Sequence, residues 1–306
     1  MELVTNVINR FLDYIEIRTK ITSTFAFLIT IAMLLYKKQT IHWGLTLLFF
    51  ASMFLFDLTT TAINNYIDTK NNHQVLQFNR RIALIIIYVL FGISSALGLY
   101  LAYLTDIVIL LVGGICFLCG VFYTYGPIPI SRQPLGEMLS GIFYGLLIPF
   151  IILYINMPVG TFLTLNVNFQ TMFLQLQFGP ILALLLFSLI PFCTTANIML
   201  ANNICDLEKD IAVKRHTLPY YIGKNALNLY AGLYYLTYLA TIAMVVFKIL
   251  SPICLLSLIT IVIVQKNIKA FFKKQEKATT FALAIKNFII IMGMNTLMIF
   301  ISAFFA

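Results

Sequence analysis

Apolar residues fill the chain in nine long blocks, each separated from the next by charge, proline or glycine. The blocks cover residues 21–36, 42–64, 82–104, 107–125, 138–155, 180–201, 226–247, 249–265 and 283–304. Most approach the ~20 apolar residues that a helix needs to cross a hydrocarbon core. A segment in lipid must satisfy its own backbone hydrogen bonds, which leaves helices and closed barrels. The ten-residue alternating strands of a barrel are absent. The pattern predicts an all-α polytopic membrane protein, with nine transmembrane helices in a bundle and one domain over residues 1–306. Residues 156–179 carry no charge and are expected to lie on the membrane surface as a short amphipathic piece. Residues 1–20 mix charged and apolar positions and do not read as a signal peptide.

Composition supports the pattern. Of the 306 residues, 61% are hydrophobic and 10% charged, against roughly 45–50% and ~25% in soluble domains. A soluble domain, a disordered chain and a disulfide scaffold are thereby excluded. The five cysteines lie in or beside apolar blocks and read as ordinary buried thiols, Cys116 and Cys119 included. His42 and Trp43 sit where an interfacial anchor is expected.

Charge adds direction. With the N-terminus inside, the inner segments hold Arg10, Arg18, Lys20, Lys70, Arg80, Arg81, Arg132, Lys209, Lys214, Arg215, Lys224, Lys266, Lys269, Lys273, Lys274, Lys277 and Lys286. Only Lys37, Lys38 and Lys248 fall outside. Cytoplasmic loops are rich in Lys and Arg, so this asymmetry predicts nine spans with a cytoplasmic N-terminus and an external C-terminus. The run from Lys266 to Lys277 reads as an orientation signal. The net charge of +9 is thus explained by topology and the anionic inner leaflet, with no nucleic-acid partner. Ten of the eleven acids also fall inside, Asp106 being the exception.

The scarce polar residues concentrate at the inner ends of spans two and six. The first segment carries Asp57, Thr61, Asn64, Asn65 and Asp68; the second carries Asn202, Asn203, Asp206 and Asp210. Both contain Asn-Asn-x-x-Asp, four spans apart and therefore in the same orientation. Spacings of four, seven and eleven residues from Asp57, and of four and eight from Asn202, each place a set on one helix face. Carboxylates at such depth face a bundle interior or a wet cavity, here one open to the cytoplasmic side. Two oxygen-rich faces sharing a cavity need a cation between them. Mg²⁺ suits, because it takes a few carboxylate or amide oxygens and completes its shell with water and phosphate. Lys209, Lys214 and Arg215 follow directly and match a diphosphate. An ion-coupled transporter is the alternative class.

These residues resemble the UbiA-type intramembrane aromatic prenyltransferases, whose two Asp-rich motifs end helices two and six of a nine-helix bundle. The first motif stands here as Asn64-Asn65-Tyr66-Ile67-Asp68 with Asn72 in its last place, so amides replace two carboxylates. The second stands as Asp206 and Asp210 after Asn202-Asn203. Lys214 before Thr217-Leu218-Pro219, the stretch from Tyr123 to Pro129, Leu135-Gly136-Glu137 and Arg18-Thr19-Lys20 resemble the dihydroxynaphthoate branch. The 4-hydroxybenzoate branch often places a lysine four residues after the tyrosine, where this chain has Pro127.

The resemblance implies transfer of a polyprenyl group from its diphosphate to 1,4-dihydroxy-2-naphthoate, with loss of CO₂, in menaquinone biosynthesis. Another aromatic acceptor such as 4-hydroxybenzoate is the alternative. Mg²⁺ is expected on Asn64, Asp68, Asn202, Asp206 and Asp210. Lys20, Arg132, Lys209, Lys214 and Arg215 are expected to hold the diphosphate. Asp68, Asp206, Asp210, Lys214 and Tyr123 are the expected catalytic set. Tyr66, Tyr123 and Phe143 are candidates to face the allylic cation, and His216 is a candidate contact for phosphate or the acceptor.

Overall fold

Backbone amides in lipid have no water to bond, and the chain answers by forming helices almost throughout. The structure is a computed structural model that describes residues 2–69, 75–126 and 129–305. Among them, nine helices are long and apolar enough to cross a membrane. They are α2 (Ile17–Tyr36), α3 (Trp43–Asp68), α4 (Arg80–Leu104), α5 (Ile107–Thr124), α6 (Gly136–Asn156), α7 (Phe178–Cys205), α10 (Asn225–Val246), α11 (Pro252–Lys273) and α12 (Phe281–Ser302). Each matches one apolar block. Three further α-helices lie outside the set, α1 (Glu2–Tyr14), α8 (Leu207–Ala212) and α9 (Leu218–Ile222), with a single 3-10 turn at Ile130–Arg132.

Three features differ from the expectation. Residues 2–14 form an amphipathic helix, too polar to register as a span. The uncharged connection folds as a hairpin, with β1 (Leu163–Val167) antiparallel to β2 (Met172–Leu176). Its alternating Leu-Thr-Leu-Asn-Val suits a strand, and Asn168 turns the chain by accepting from the Gln170 and Thr171 amides. Polar ends also extend the helices: α3 runs to Asp68 and α7 to Cys205, so most of each motif is helical.

Contacts divide the chain into two compact units, Met1–Thr24 with His42–Ile130, and Phe25–Ile41 with Ser131–Ala306. In the first unit, Tyr14, Ile15, Leu58, Ala62, Ala83, Ile87 and Leu90 form one apolar cluster. It joins α1 to α3 and α4. The Tyr14 hydroxyl donates to the Ala62 carbonyl at 3.0 Å. Burial, and then Tyr66, push its phenol above the ordinary value, so it remains a donor.

In the second unit, α6 approaches α7 closely. A Cβ on Gly145 would lie 2.3 Å from the Phe192 backbone, so only glycine fits there. The segment Gly141–Leu147 adopts π-helical geometry at this contact, opposite Pro191 inside α7. Elsewhere polar side chains join the apolar helices. The Asn267 amide donates to Asn287 at 2.7 Å, and the Asn197 amide donates to the Tyr230 carbonyl at 3.0 Å.

Three helix ends carry lysine where glycine is usual. Lys38, Lys214 and Lys248 have φ of 52°, 56° and 59°. Each is followed by an amide that bonds back five residues, as in Gln39 to the Leu34 carbonyl. A cation there also meets the negative end of the helix dipole.

Candidate functional site

The first polar segment belongs to the first unit. Lys20, at the start of α2, is buried, and its ammonium lies 2.9 Å from Asp57 Oδ1. It also donates to the Asp57 carbonyl and to Thr61 Oγ1, so all three of its donors are used. The Ser23 hydroxyl donates to Asp57 Oδ2 at 2.8 Å. The deepest acid of the segment is thereby neutralised inside the helix bundle. Further along α3, the Asn64 side-chain oxygen accepts from the Thr124 hydroxyl at the end of α5. Asp68, the last residue of α3, is exposed.

Asn65 explains one departure from the family motif. Its side-chain amide donates to the Tyr14 carbonyl at 2.8 Å. A carboxylate has no proton to offer there, so asparagine fastens α1 to α3 where aspartate would repel a carbonyl. Tyr66 is held by Arg80, whose guanidinium lies 5.1 Å from the ring centroid and donates to the Tyr66 carbonyl. Asn72 and Pro127 lie outside the described residues.

The second polar segment belongs to the second unit. The amides of Asp206 and Asp210 bond to the carbonyls of Asn202 and Asp206, which keeps helical spacing from α7 into α8. The side chains nevertheless divide into two groups. Asn202 Oδ1 and Asp206 Oδ2 converge on one cation, the Lys277 ammonium, which is 2.6 Å from Asp206. Asp210 is buried, with Oδ1 3.8 Å from the Arg215 guanidinium. Arg215 Nε donates to the Ser131 carbonyl at 2.8 Å. Lys214, in its left-handed conformation, turns the chain so that Arg215 comes back over α8.

Of the remaining expected residues, Lys209, Lys214 and Arg132 are exposed, while Tyr123 and Phe143 are half-buried. His216 stacks on Tyr220 with ring centroids 4.3 Å apart. Among the described residues, no three His, Cys, Asp or Glu side chains gather as a metal cluster.

Two residues were passed over. Glu137, at the start of α6, is buried, and its Oε1 accepts from the Asn203 side-chain amide at 2.8 Å. Glu137 Oε2 and Asn203 Oδ1 are both buried and have no hydrogen-bond partner among the described residues. A signal existed, because Glu137 is the single acid of its span. Lys277 is the other, hidden among the lysines read as an orientation signal.

With this geometry in view, likeness to known proteins is informative. A model of the UbiA prenyltransferase family matches residues 25–295. The chain is 26% identical over 236 residues to a Bacillus subtilis (strain 168) protein named 1,4-dihydroxy-2-naphthoate octaprenyltransferase, covering 73% of this chain and 69% of that one. A solved structure of digeranylgeranylglyceryl phosphate synthase has a TM-score of 0.66 at 19% identity, over 98% of this chain and 99% of that chain. A UbiA homolog from Archaeoglobus fulgidus bound to GPP and Mg²⁺ has a TM-score of 0.61 at 14% identity, over 96% and 99%. At these identities the solved structures establish a shared fold.

Proposed function

The chain belongs to the UbiA prenyltransferase family, and from that premise we propose that it transfers a polyprenyl group from polyprenyl diphosphate to 1,4-dihydroxy-2-naphthoate. The whole chain acts as one multi-pass membrane prenyltransferase domain, with both polar segments toward the cytoplasm. Family membership sets aside the transporter alternative. The Bacillus relative, named for a naphthoate octaprenyltransferase, favours this acceptor over 4-hydroxybenzoate.

The observation that carries the reading is the convergence of Asn202 Oδ1 and Asp206 Oδ2 on a single cation. Hard oxygen donors one helical turn apart, already gathered about an ammonium, fit Mg²⁺, which leaves its other positions to water and phosphate. Asn64, Asp68 and Asp210 are the further proposed ligands. Bound there, Mg²⁺ supplies charge neutralisation of the diphosphate leaving group.

This chain's own residues do the rest. Lys209, Lys214, Arg215 and Arg132 meet the charge that grows on the diphosphate as the allylic C–O bond breaks. They stabilise the transition state more than the bound substrate. Lys20 acts at one remove, by holding Asp57 and the helix that carries Asn64 and Asp68. Half-buried Tyr123 and Phe143 offer aromatic faces to the allylic carbon and help to exclude water. The acceptor ring carbon forms the new C–C bond, its carboxyl group leaves as CO₂, and that bonding pair returns to the ring.

The test uses membranes carrying the protein, labelled prenyl diphosphate and a panel of aromatic acids. Prenylated naphthoquinol and CO₂ are expected from dihydroxynaphthoate. Prenylation of 4-hydroxybenzoate alone overturns the acceptor. Asp68→Ala and Asp206→Ala are each expected to slow transfer by roughly 100-fold or more, the scale of a lost transition-state contact. Unchanged rates in both defeat the metal assignment.

A further inference from the structure

Lys277 stands in the loop between α11 and α12, and its partner Asp206 is 71 positions away in sequence. Its ammonium contacts the two oxygens proposed above as metal ligands and lies 4.9 Å from the centroid of the Phe281 ring. The other charges of the loop satisfy each other. Lys274 is 2.8 Å from Glu276 Oε1, and the Thr279 hydroxyl donates to Glu276 Oε2. The loop backbone is fastened as well. The Thr280 and Phe281 amides bond to the Glu276 carbonyl, and Gln275 donates to the Phe271 and Phe272 carbonyls. A fixed backbone therefore presents a long, flexible side chain that is 41% exposed, while Asp206 is 22% exposed.

We infer that Lys277 is a diphosphate-binding residue, held on Asn202 and Asp206 until Mg²⁺ with its diphosphate takes those oxygens and the ammonium passes to the phosphates. The inference rests on the reading of Asn202 and Asp206 as metal ligands. Mg²⁺ binds oxygen at about 2.0–2.1 Å, and a dication that close to the same two atoms disfavours an ammonium there. The two cations compete, and the divalent ion repels the displaced one. The diphosphate is the anion that arrives with the metal. A lysine serves phosphate as a mobile point charge, and its four-carbon stem gives the reach. Lys277 thus guards the carboxylate first and then offsets part of the charge that the metal leaves uncompensated.

The experiment measures Mn²⁺ bound to the full-length protein in detergent by electron paramagnetic resonance, without any diphosphate. Lys277→Met is expected to tighten Mn²⁺ binding roughly fivefold, the upper worth of a half-exposed ion pair. With Mn²⁺ present, the same variant is expected to bind geranyl diphosphate more weakly by a similar factor. Lys277→Arg keeps the charge and is expected to stay near wild type in both. An unchanged or weaker Mn²⁺ affinity in Lys277→Met overturns the competition, and unchanged geranyl diphosphate affinity overturns the transfer to phosphate. Asp206→Asn, measured alongside, separates the two readings. Full Mn²⁺ binding in that variant defeats the metal-ligand assignment itself, whereas lost binding there with no effect of Lys277→Met defeats the role of Lys277 alone.

Discussion

Among the described residues, two ammonium groups sit on aspartates, and each also bonds a second oxygen one helical turn away. Lys20 bonds Asp57 and Thr61, and Lys277 bonds Asp206 and Asn202. The chemistry is the same and the surroundings are not. Lys20 and Asp57 are 4% and 6% exposed, and Ser23 and the Asp57 carbonyl complete the set. Lys277 and Asp206 are 41% and 22% exposed, and solvent reaches them. A buried pair cannot be exchanged without leaving a bare charge in apolar surroundings. An accessible pair can trade one cation for another at little cost. Depth, more than residue type, therefore separates the lysine that fastens helices together from the lysine proposed to meet the diphosphate.

The largest effect is expected from Lys20→Met. It strands the Asp57 carboxylate among α2 and α3, and loss of one partner of a buried pair costs about 3–5 kcal/mol. The thermal midpoint in detergent is expected to fall steeply, before any assay of activity. Lys20→Met combined with Asp57→Leu removes both charges and is expected to recover most of the loss, because packed apolar groups replace a buried pair well. A single variant as stable as the parent defeats the claim that this pair is structural.

This contrast also marks how far the amino-acid pattern could be read. The nine spans were legible because lipid demands long apolar helices, and each block matched one. The Asn202, Asp206 and Asp210 spacing was legible because helical periodicity is local. The partners were not. Lys20 meets Asp57 across 37 positions and Lys277 meets Asp206 across 71. No periodicity reports a contact between separate helices. Asn65 could be seen as a departure from a motif, but its reason lies in the Tyr14 carbonyl of a helix that the span pattern did not reveal. The hairpin at 163–176 escaped for another reason. Five-residue strands are too short to stand out in an uncharged stretch, and Asn168 gives the turn only once the chain is folded. Lysine in left-handed helix ends was invisible because glycine is the residue that such ends usually announce.

Glu137 is of intermediate kind, a buried carboxylate to which no cation is bonded among the described residues. One of its oxygens accepts from Asn203, while the other, like Asn203 Oδ1, has no partner. Glu137→Gln supplies an amide that donates to Asn203 Oδ1 while the other oxygen still accepts. Satisfying a buried acceptor and removing a buried charge is expected to stabilise the protein by about 1 kcal/mol. A raised thermal midpoint checks this. A lowered midpoint shows that the carboxylate has a donor, such as an ordered water, that the amide displaces.

The smallest expected effect completes the contrast. Lys277→Met removes a cation from Asp206 as Lys20→Met does from Asp57, yet the partly exposed aspartate can turn to water. Its stability is expected to stay within about 0.5 kcal/mol of the parent, the usual range for such sites. Raising salt from low to physiological strength is expected to narrow even that difference, since accessible pairs are screened and buried ones are not. The informative outcome is the pair of measurements together. A lysine whose loss leaves the thermal midpoint in place but changes Mn²⁺ affinity works on ligands, whereas one whose loss lowers the midpoint works on the fold. Should Lys277→Met unfold the protein as readily as Lys20→Met, accessibility is the wrong criterion, and the loop between α11 and α12 holds the second unit together through Asp206.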